Sequence, residues 1–196
     1  MFVITADQRD SRTNADLVPE GVALAERAGG DRLALPVERN AGDELQAMTA
    51  NAAAALEISL ALLRDGRWSV GLGAGAAENP LPGDIRAARG PVFVLARGAV
   101  DRAKQAAGRI AVGAPDDVAA ADAEAYLRLL VDLRDRRSEQ GWEVADLLAQ
   151  GRTQKSIAAE LGITPTAVSL RAKAAGLRLE EAAVPALVRT LEGLDR

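Results

Sequence analysis

Residues 150–176 read QGRTQKSIAAELGITPTAVSLRAKAAG, and this stretch carries the clearest structural signals in the chain. Apolar residues recur on one face of a helix that would begin after Thr153, a residue type that caps helices. Gly162 is expected to end that helix, because glycine readily adopts the left-handed conformation of a sharp turn. Thr164 and Pro165 then predict the cap and the first position of a second helix. The spacing therefore predicts a helix-turn-helix.

The second helix, residues 165–175, is predicted to be the recognition helix of that motif. Its small and apolar positions would turn inward, whereas hydroxyl and cationic side chains would face outward, where they can meet bases and phosphates. The predicted inward positions are Ala167, Val168 and Ala172. The candidate DNA-binding residues are Lys155, Thr164, Thr166, Ser169, Arg171 and Lys173.

The charge of this segment favours nucleic acid as its partner. Residues 151–178 hold five basic side chains and one acidic one, which is a local charge of about +4 in a chain whose formal net charge is −4. The rest of the chain therefore sums to about −8. Neutralisation of phosphates supplies most non-specific DNA affinity. The alternative is a two-helix packing element, with a capped turn, that binds no nucleic acid.

Composition narrows the remaining functional classes. The chain of 196 residues is long enough for one full domain and a small one, and no apolar run approaches the length of a membrane span. No signal peptide is recognisable, so we expect a cytoplasmic protein without a membrane partner. Cysteine and histidine are absent, which excludes disulfides, the usual zinc sites and histidine acid-base chemistry. The few aromatic residues argue for duplex DNA over single-stranded RNA.

The N-terminal part of the chain alternates predicted strands and helices. Strands are expected near residues 2–5, 33–37, 45–48, 68–72 and 109–112, and helices near 19–28, 50–63 and 91–107. Asp65 would help to close the second of these helices, and Asp43 with Glu44 would form the tip of a β-hairpin. This order predicts an α+β fold with a ferredoxin-like sheet, followed by an all-α helix-turn-helix domain. The expected domains are residues 1–115 and 140–196, joined by a connecting helix over 116–139.

Three glycines at alternate positions follow the strand near residues 68–72. Gly71, Gly73 and Gly75 resemble part of a dinucleotide-binding fingerprint, but no helix is predicted directly after them and no suitably spaced acidic residue follows a second strand. We therefore interpret them as places where the backbone packs closely against a neighbouring element.

Four short motifs in the first hundred residues resemble the SatD family. They are TADQRDSR at 5–12, AGDELQAM at 41–48, GLGAG at 71–75 and GPVFVLAR at 90–97. The resemblance implies a sheet domain similar to those of class III nucleotidyl cyclases and GGDEF domains. It also extends to the C-terminal helix-turn-helix, which proteins of this family often carry.

In cyclases, carboxylates at the places of Asp7 and Asp43 hold two divalent cations against a triphosphate. The resemblance therefore implies Mg²⁺ or Mn²⁺ at these two residues, and a nucleotide near Arg9, Arg12 and Arg97. The alternative is that Asp43 is a turn residue and Asp7 a solvated loop charge. Val94 and Leu95 occupy the neighbourhood in which a cyclase places an asparagine, so we expect a domain without catalytic residues.

These observations predict a DNA-binding transcription regulator that acts as a homodimer, because two recognition helices must reach successive major grooves. The sheet domain would serve sensing or dimerisation, with a nucleotide as a candidate ligand. The alternative is a metal-dependent nucleotidyl cyclase or a nucleotide-binding protein.

Overall fold

The computed structural model describes residues 1–64 and 66–194, and this part of the chain is α+β. Asp65, and residues 195 and 196 of the predicted C-terminal domain, lie outside the described residues. The five strands are β1 (Phe2–Gln8), β2 (Leu33–Arg39), β3 (Glu44–Thr49), β4 (Trp68–Ala74) and β5 (Ile110–Gly113). The eight α-helices are α1 (Val18–Gly29), α2 (Ala52–Leu63), α3 (Pro91–Ala103), α4 (Asp117–Asp135), α5 (Glu139–Ala149), α6 (Gln154–Leu161), α7 (Pro165–Ala174) and α8 (Leu177–Leu194).

The strands form one mixed sheet in the order β2-β3-β1-β4-β5. β1 lies between β3 and β4 and is antiparallel to both, whereas β4 and β5 are parallel. Pairing on both sides continues β1 through Asp7, which the sequence placed in the loop after a shorter strand. Glu44, predicted at the hairpin tip, is instead the buried first residue of β3 and lies opposite Asp7.

The two faces of the sheet are covered by different helices, because successive side chains of a strand point to opposite faces. On one face, a side chain at Gly21 of α1 would collide with Trp68 and Leu45, so the helix packs closely there. On the other face, α3 packs Val92 and Ala96 against a cluster that includes Val3 and Met48. Asp7 shares this second face, because it lies four residues after Val3 on the same strand.

The glycines of β4 bring α3 unusually close to the sheet. A Cβ at Gly71 would lie 2.2 Å from the backbone nitrogen of Val100, and one at Gly73 would lie 2.6 Å from that of Ala96. Real Cβ atoms do not approach backbone this closely, so only glycine fits. The close-packing interpretation is confirmed for Gly71 and Gly73, whereas a Cβ at Gly75 would come no nearer than 3.4 Å to the side chain of Leu95.

The chain divides into two compact units. The sheet unit is formed by residues 1–128 with the end of α8, and the helical unit by residues 129–186. The core of the helical unit consists of side chains from α5, α6 and α7, namely Val144, Ile157, Ala158 and Val168, with partly buried neighbours such as Leu148 and Leu161. Among the described residues, no helix is both long and apolar enough to cross a membrane.

Candidate nucleic-acid interface and the charged end of the sheet

Local capping defines α6 and α7, as the sequence predicts. The Thr153 hydroxyl accepts a hydrogen bond from the Ser156 amide at 3.2 Å, and the Thr164 hydroxyl accepts one from the Ala167 amide at 3.1 Å. Gly162 has φ 64° and ends α6 in the left-handed conformation. Each helix therefore has a fixed start, and two residues, Ile163 and Thr164, join Gly162 to α7.

The rotation of α7 about its own axis is set by its buried side. Val168 is fully buried in the core of the helical unit, where it lies in one cluster with Val144 and Ile157. Ala172, one turn later, is partly buried against the same cluster. Burying a side chain the size of valine or isoleucine contributes about 1.5–3 kcal/mol, so this rotation is strongly preferred.

Four residues of α7 form an exposed line that we call the α7 stripe. They are Thr166, Ser169, Leu170 and Lys173, and their spacing of i, i+3, i+4 and i+7 places them on one face of the helix. Three of them were predicted from the sequence. Leu170, which is 62% exposed, was not, because a leucine in a helix is ordinarily assigned to the core.

Arg171 differs from its prediction as an outward-facing side chain. It is half-buried and forms an ion pair with Glu143 of α5, at 3.1 Å between Nη1 and Oε2. Position 171 follows Val168 by three residues, which brings the side chain toward α5 and away from the stripe. Its partner Glu143 lies on α5, eleven residues before α6 begins, and no local sequence signal predicts this pairing.

The remaining predicted contacts, Lys155 and Thr164, are not members of the stripe. Lys155 is exposed on the first turn of α6. Thr164 is exposed at the start of α7, but its hydroxyl already serves as the helix cap. Arg152 and Glu160 form an ion pair on the surface, so part of the positive charge counted in this segment is neutralised locally.

A second group of side chains, the Arg–Trp–Glu cluster, fixes the other end of α7. The guanidinium groups of Arg134 and Arg137 lie 4.9 and 4.8 Å from the centroid of the Trp142 ring, and both pair with Glu180. Arg137 also donates to the carbonyl of Ala175, the C-cap residue of α7, at 2.8 Å. A cation is favourable at this end of a helix, where the carbonyls leave partial negative charge.

Glu180 is held in its ionised form by these partners. Partial burial acts to raise the pKa of its carboxyl group, but the hydrogen bond from Arg137 and the charges of Arg134 and Arg137 outweigh burial and lower the pKa below its ordinary value. The Arg137 side chain is 2% exposed, so its charge is almost entirely removed from water. Glu180 therefore compensates a buried charge that has little solvent around it.

The charged cluster lies at one end of the sheet, where side chains from α3 and from the residue after it reach the end of β1 and the start of β3. Its members are Asp7, Glu44, Arg97, Asp101 and Lys104. Lys104 Nζ lies 2.8 Å from Asp7 Oδ2, and Arg97 pairs with the buried carboxylate of Glu44. Asp101 lies 3.6 Å from each of the two cations. Asp7 and Arg97 were predicted from the sequence as site residues. Glu44 lies opposite Asp7 because β3 pairs with β1, and Lys104 reaches Asp7 from the end of α3.

Electrostatics stabilises this arrangement. Desolvation by partial burial acts to lower the pKa of Lys104, but the hydrogen bond and charge of Asp7, together with the charges of Asp101 and Glu44, raise it above its ordinary value. Lys104 therefore carries its positive charge at neutral pH, where it forms the ion pair with Asp7.

The other predicted ligand residues are engaged elsewhere. The Asp43 carboxylate accepts a hydrogen bond from the Ser11 hydroxyl, and its backbone carbonyl accepts one from the Gln8 amide at 3.0 Å. Arg9 donates to the Gly66 carbonyl at 2.9 Å, and Arg12 is exposed. These contacts do not gather the predicted nucleotide residues around Arg97.

The arrangement does not fit a divalent cation. The Asp7 carboxylate already pairs with the Lys104 ammonium group, and the Asp43 carboxylate accepts a hydrogen bond from a hydroxyl group. Within the described ranges, no three carboxylate-bearing residues converge as metal ligands. Oxygen-ligated Mg²⁺ and Ca²⁺ need carboxylates that are free to bind. A metal site at Asp7 and Asp43 stays a prediction, and the contacts of these two carboxylates do not support it.

Comparison of the chain with family models, with curated proteins and with solved structures gives no match.

Proposed function

We propose that this protein is a DNA-binding transcription regulator that reads duplex DNA with α7. The observation that carries the proposal is the α7 stripe, in which two hydroxyl groups, one apolar group and one cation face solvent from a single helix. These are side-chain types that contact base edges and phosphates in the major groove.

The way α7 is fixed supports the proposal. Caps at Thr153 and Thr164, the left-handed Gly162 and the buried Val168 together make α6 and α7 a rigid pair, which supports a helix-turn-helix. A recognition helix needs such rigidity, because a displaced helix would lose the alignment of its hydrogen bonds with base edges.

The sheet is the second component of the proposal. Its order β2-β3-β1-β4, with antiparallel neighbours throughout, supports a ferredoxin-like core to which β5 is added. Such a domain would serve as a sensor or as a dimerisation module. A homodimer is proposed because paired recognition helices bind half-sites one helical turn apart.

The test is a salt series of binding to the DNA upstream of the protein's own gene, compared with a random duplex of equal length. We expect selective binding whose logarithm falls linearly with the logarithm of salt concentration. Lys173→Ala should reduce the slope by about 0.9, the value for one phosphate contact. Arg189→Ala is the matched control, because it removes one exposed cation from α8 and should leave the slope unchanged. No binding at low salt would refute the proposal.

A nucleotidyl cyclase or a nucleotide-binding protein is the alternative. It would use the charged cluster, where Arg97 is half exposed and could contact a phosphate. Release of pyrophosphate from ATP or GTP with Mn²⁺, lost in Asp7→Asn, would establish the enzyme. The ion pair between Asp7 and Lys104 makes this the weaker candidate.

A further inference from the structure

Leu170 is an apolar side chain in the middle of a polar surface. It is 62% exposed and is the one large apolar side chain that faces solvent on α7, the whole of which is described. Thr166 precedes it by one turn and Lys173 follows by three residues. Single exposed leucines are common on protein surfaces, so the informative feature of Leu170 is its place among the polar side chains of the stripe.

The helix cannot bury Leu170 by turning. Val168, two residues earlier, is fully buried on the opposite side of α7, and the Thr164 cap fixes where the helix begins. Any rotation that covered Leu170 would expose Val168. The α7 stripe therefore faces solvent in a fixed orientation, and Leu170 lies on the same face as the groups that we propose contact DNA.

The chemistry of the major groove limits what an apolar side chain can meet there. Base edges in this groove present hydrogen-bond donors and acceptors, and the apolar group among them is the C5 methyl of thymine. Hydroxyl groups such as those of Thr166 and Ser169 can pair with several bases, and Lys173 with guanine or phosphate. Leu170 is thus the member of the stripe with the narrowest choice of partner.

We propose that Leu170 makes the protein select a thymine, through contact with its C5 methyl group, at one position of each half-site. This inference rests on the proposed DNA-binding function and specifies the base that α7 reads. A protein partner covering Leu170 is the competing explanation, and the experiment below separates the two.

The test replaces single methyl groups in DNA. A duplex is first selected by the purified protein from a random pool, and each thymine is then replaced in turn by deoxyuridine, which lacks only the methyl group. We expect one replacement per half-site to weaken binding about fourfold, the effect of withdrawing one methyl group from water. In Leu170→Ala the same replacement should have no effect, because no side chain reaches the methyl position.

Leu179→Ala is the matched control, since Leu179 is 67% exposed but lies on α8. This variant should retain the difference between thymine and deoxyuridine. Circular dichroism of both variants checks that they fold, which is expected because neither side chain is buried. Selective binding without any deoxyuridine effect, or an effect that persists in Leu170→Ala, would overturn this inference and leave the DNA-binding function intact. If the protein selected no duplex from the random pool, both this inference and the proposed DNA-binding function would be refuted.

Discussion

Glu180 is a residue at which a small chemical change should destabilise the helical unit strongly. Its carboxylate pairs with Arg134 and Arg137, and Arg137 is 2% exposed. Glu180→Gln keeps the size of the side chain and one carbonyl oxygen but removes the negative charge. The Arg137 guanidinium would then be buried without the charge of Glu180, beside the Ala175 carbonyl, the Trp142 ring and a neutral amide.

The magnitude follows from the burial of both groups. Removing one partner of a buried ion pair costs about 3–5 kcal/mol, because the remaining charge is left without compensation. The retained amide oxygen can still accept one hydrogen bond, which recovers about 1 kcal/mol. We therefore expect Glu180→Gln to lower the free energy of unfolding by about 2–4 kcal/mol at neutral pH.

Urea denaturation followed by circular dichroism measures this loss, because the helical unit contributes three whole helices and parts of two others to the signal. Glu181→Gln is the matched control, since it makes the same chemical change at an exposed neighbour and should stay within about 0.5 kcal/mol of the parent. If Glu180→Gln were as stable as Glu181→Gln, the Arg–Trp–Glu cluster would not stabilise the unit and the reasoning would be refuted.

The same variant has a defined pH dependence. The folded protein lowers the pKa of Glu180 below its ordinary value of 4.5, so the unfolded chain binds this proton more readily. The stabilisation is therefore fully present above pH 4.5 and is lost as the pH falls through the lower folded-state pKa. The difference between the parent and Glu180→Gln should shrink with acidification below pH 4.5, and a difference that grew instead would contradict the direction of the shift.

Three further predictions concern single contacts, each measured by urea denaturation. Gly71→Ala places a Cβ 2.2 Å from the α3 backbone and should prevent folding or cost at least about 3 kcal/mol, whereas Gly98→Ala, with open space around it, should be neutral or stabilising. Lys104→Met should lose about 1 kcal/mol, and this loss should vanish in an Asp7→Asn background if the two side chains interact as their 2.8 Å separation indicates. Gly162→Ala should cost about 1 kcal/mol, because an L-residue is strained at φ 64° even where no atom is near.

Local signals made the helical unit readable from the sequence. Thr153, Gly162 and Thr164 act on backbone groups within a few residues of themselves, so their roles follow from residue type and spacing alone. The same holds for the strands near Val3 and Val70, whose apolar runs are short and bounded by polar or turn residues. Element type was accordingly predicted well, and the ends of elements less well.

Contacts between distant parts of the chain were not readable in this way. Lys104 meets Asp7 across ninety-seven positions, because α3 happens to end above β1. Glu44 rather than Asp43 faces Asp7, because the antiparallel register of β1 and β3 sets these partners, and a shift of one residue would exchange them. The ion pair of Arg171 with Glu143 is likewise a contact between residues that are 28 positions apart.

The two ends of α7 are held by different kinds of interaction, and this bears on how the helix can be altered. Its start depends on the Thr164 cap, which is exposed and local. Its end is held by Arg137, which is buried and depends on Glu180, and by Gly176, where a side chain would meet Leu133 at 2.7 Å. Substitutions around the buried end should therefore shift α7 or destabilise it without touching the stripe. A loss of DNA binding in such a variant identifies a positioning role only if the unfolded fraction, measured in the same sample, is too small to account for it.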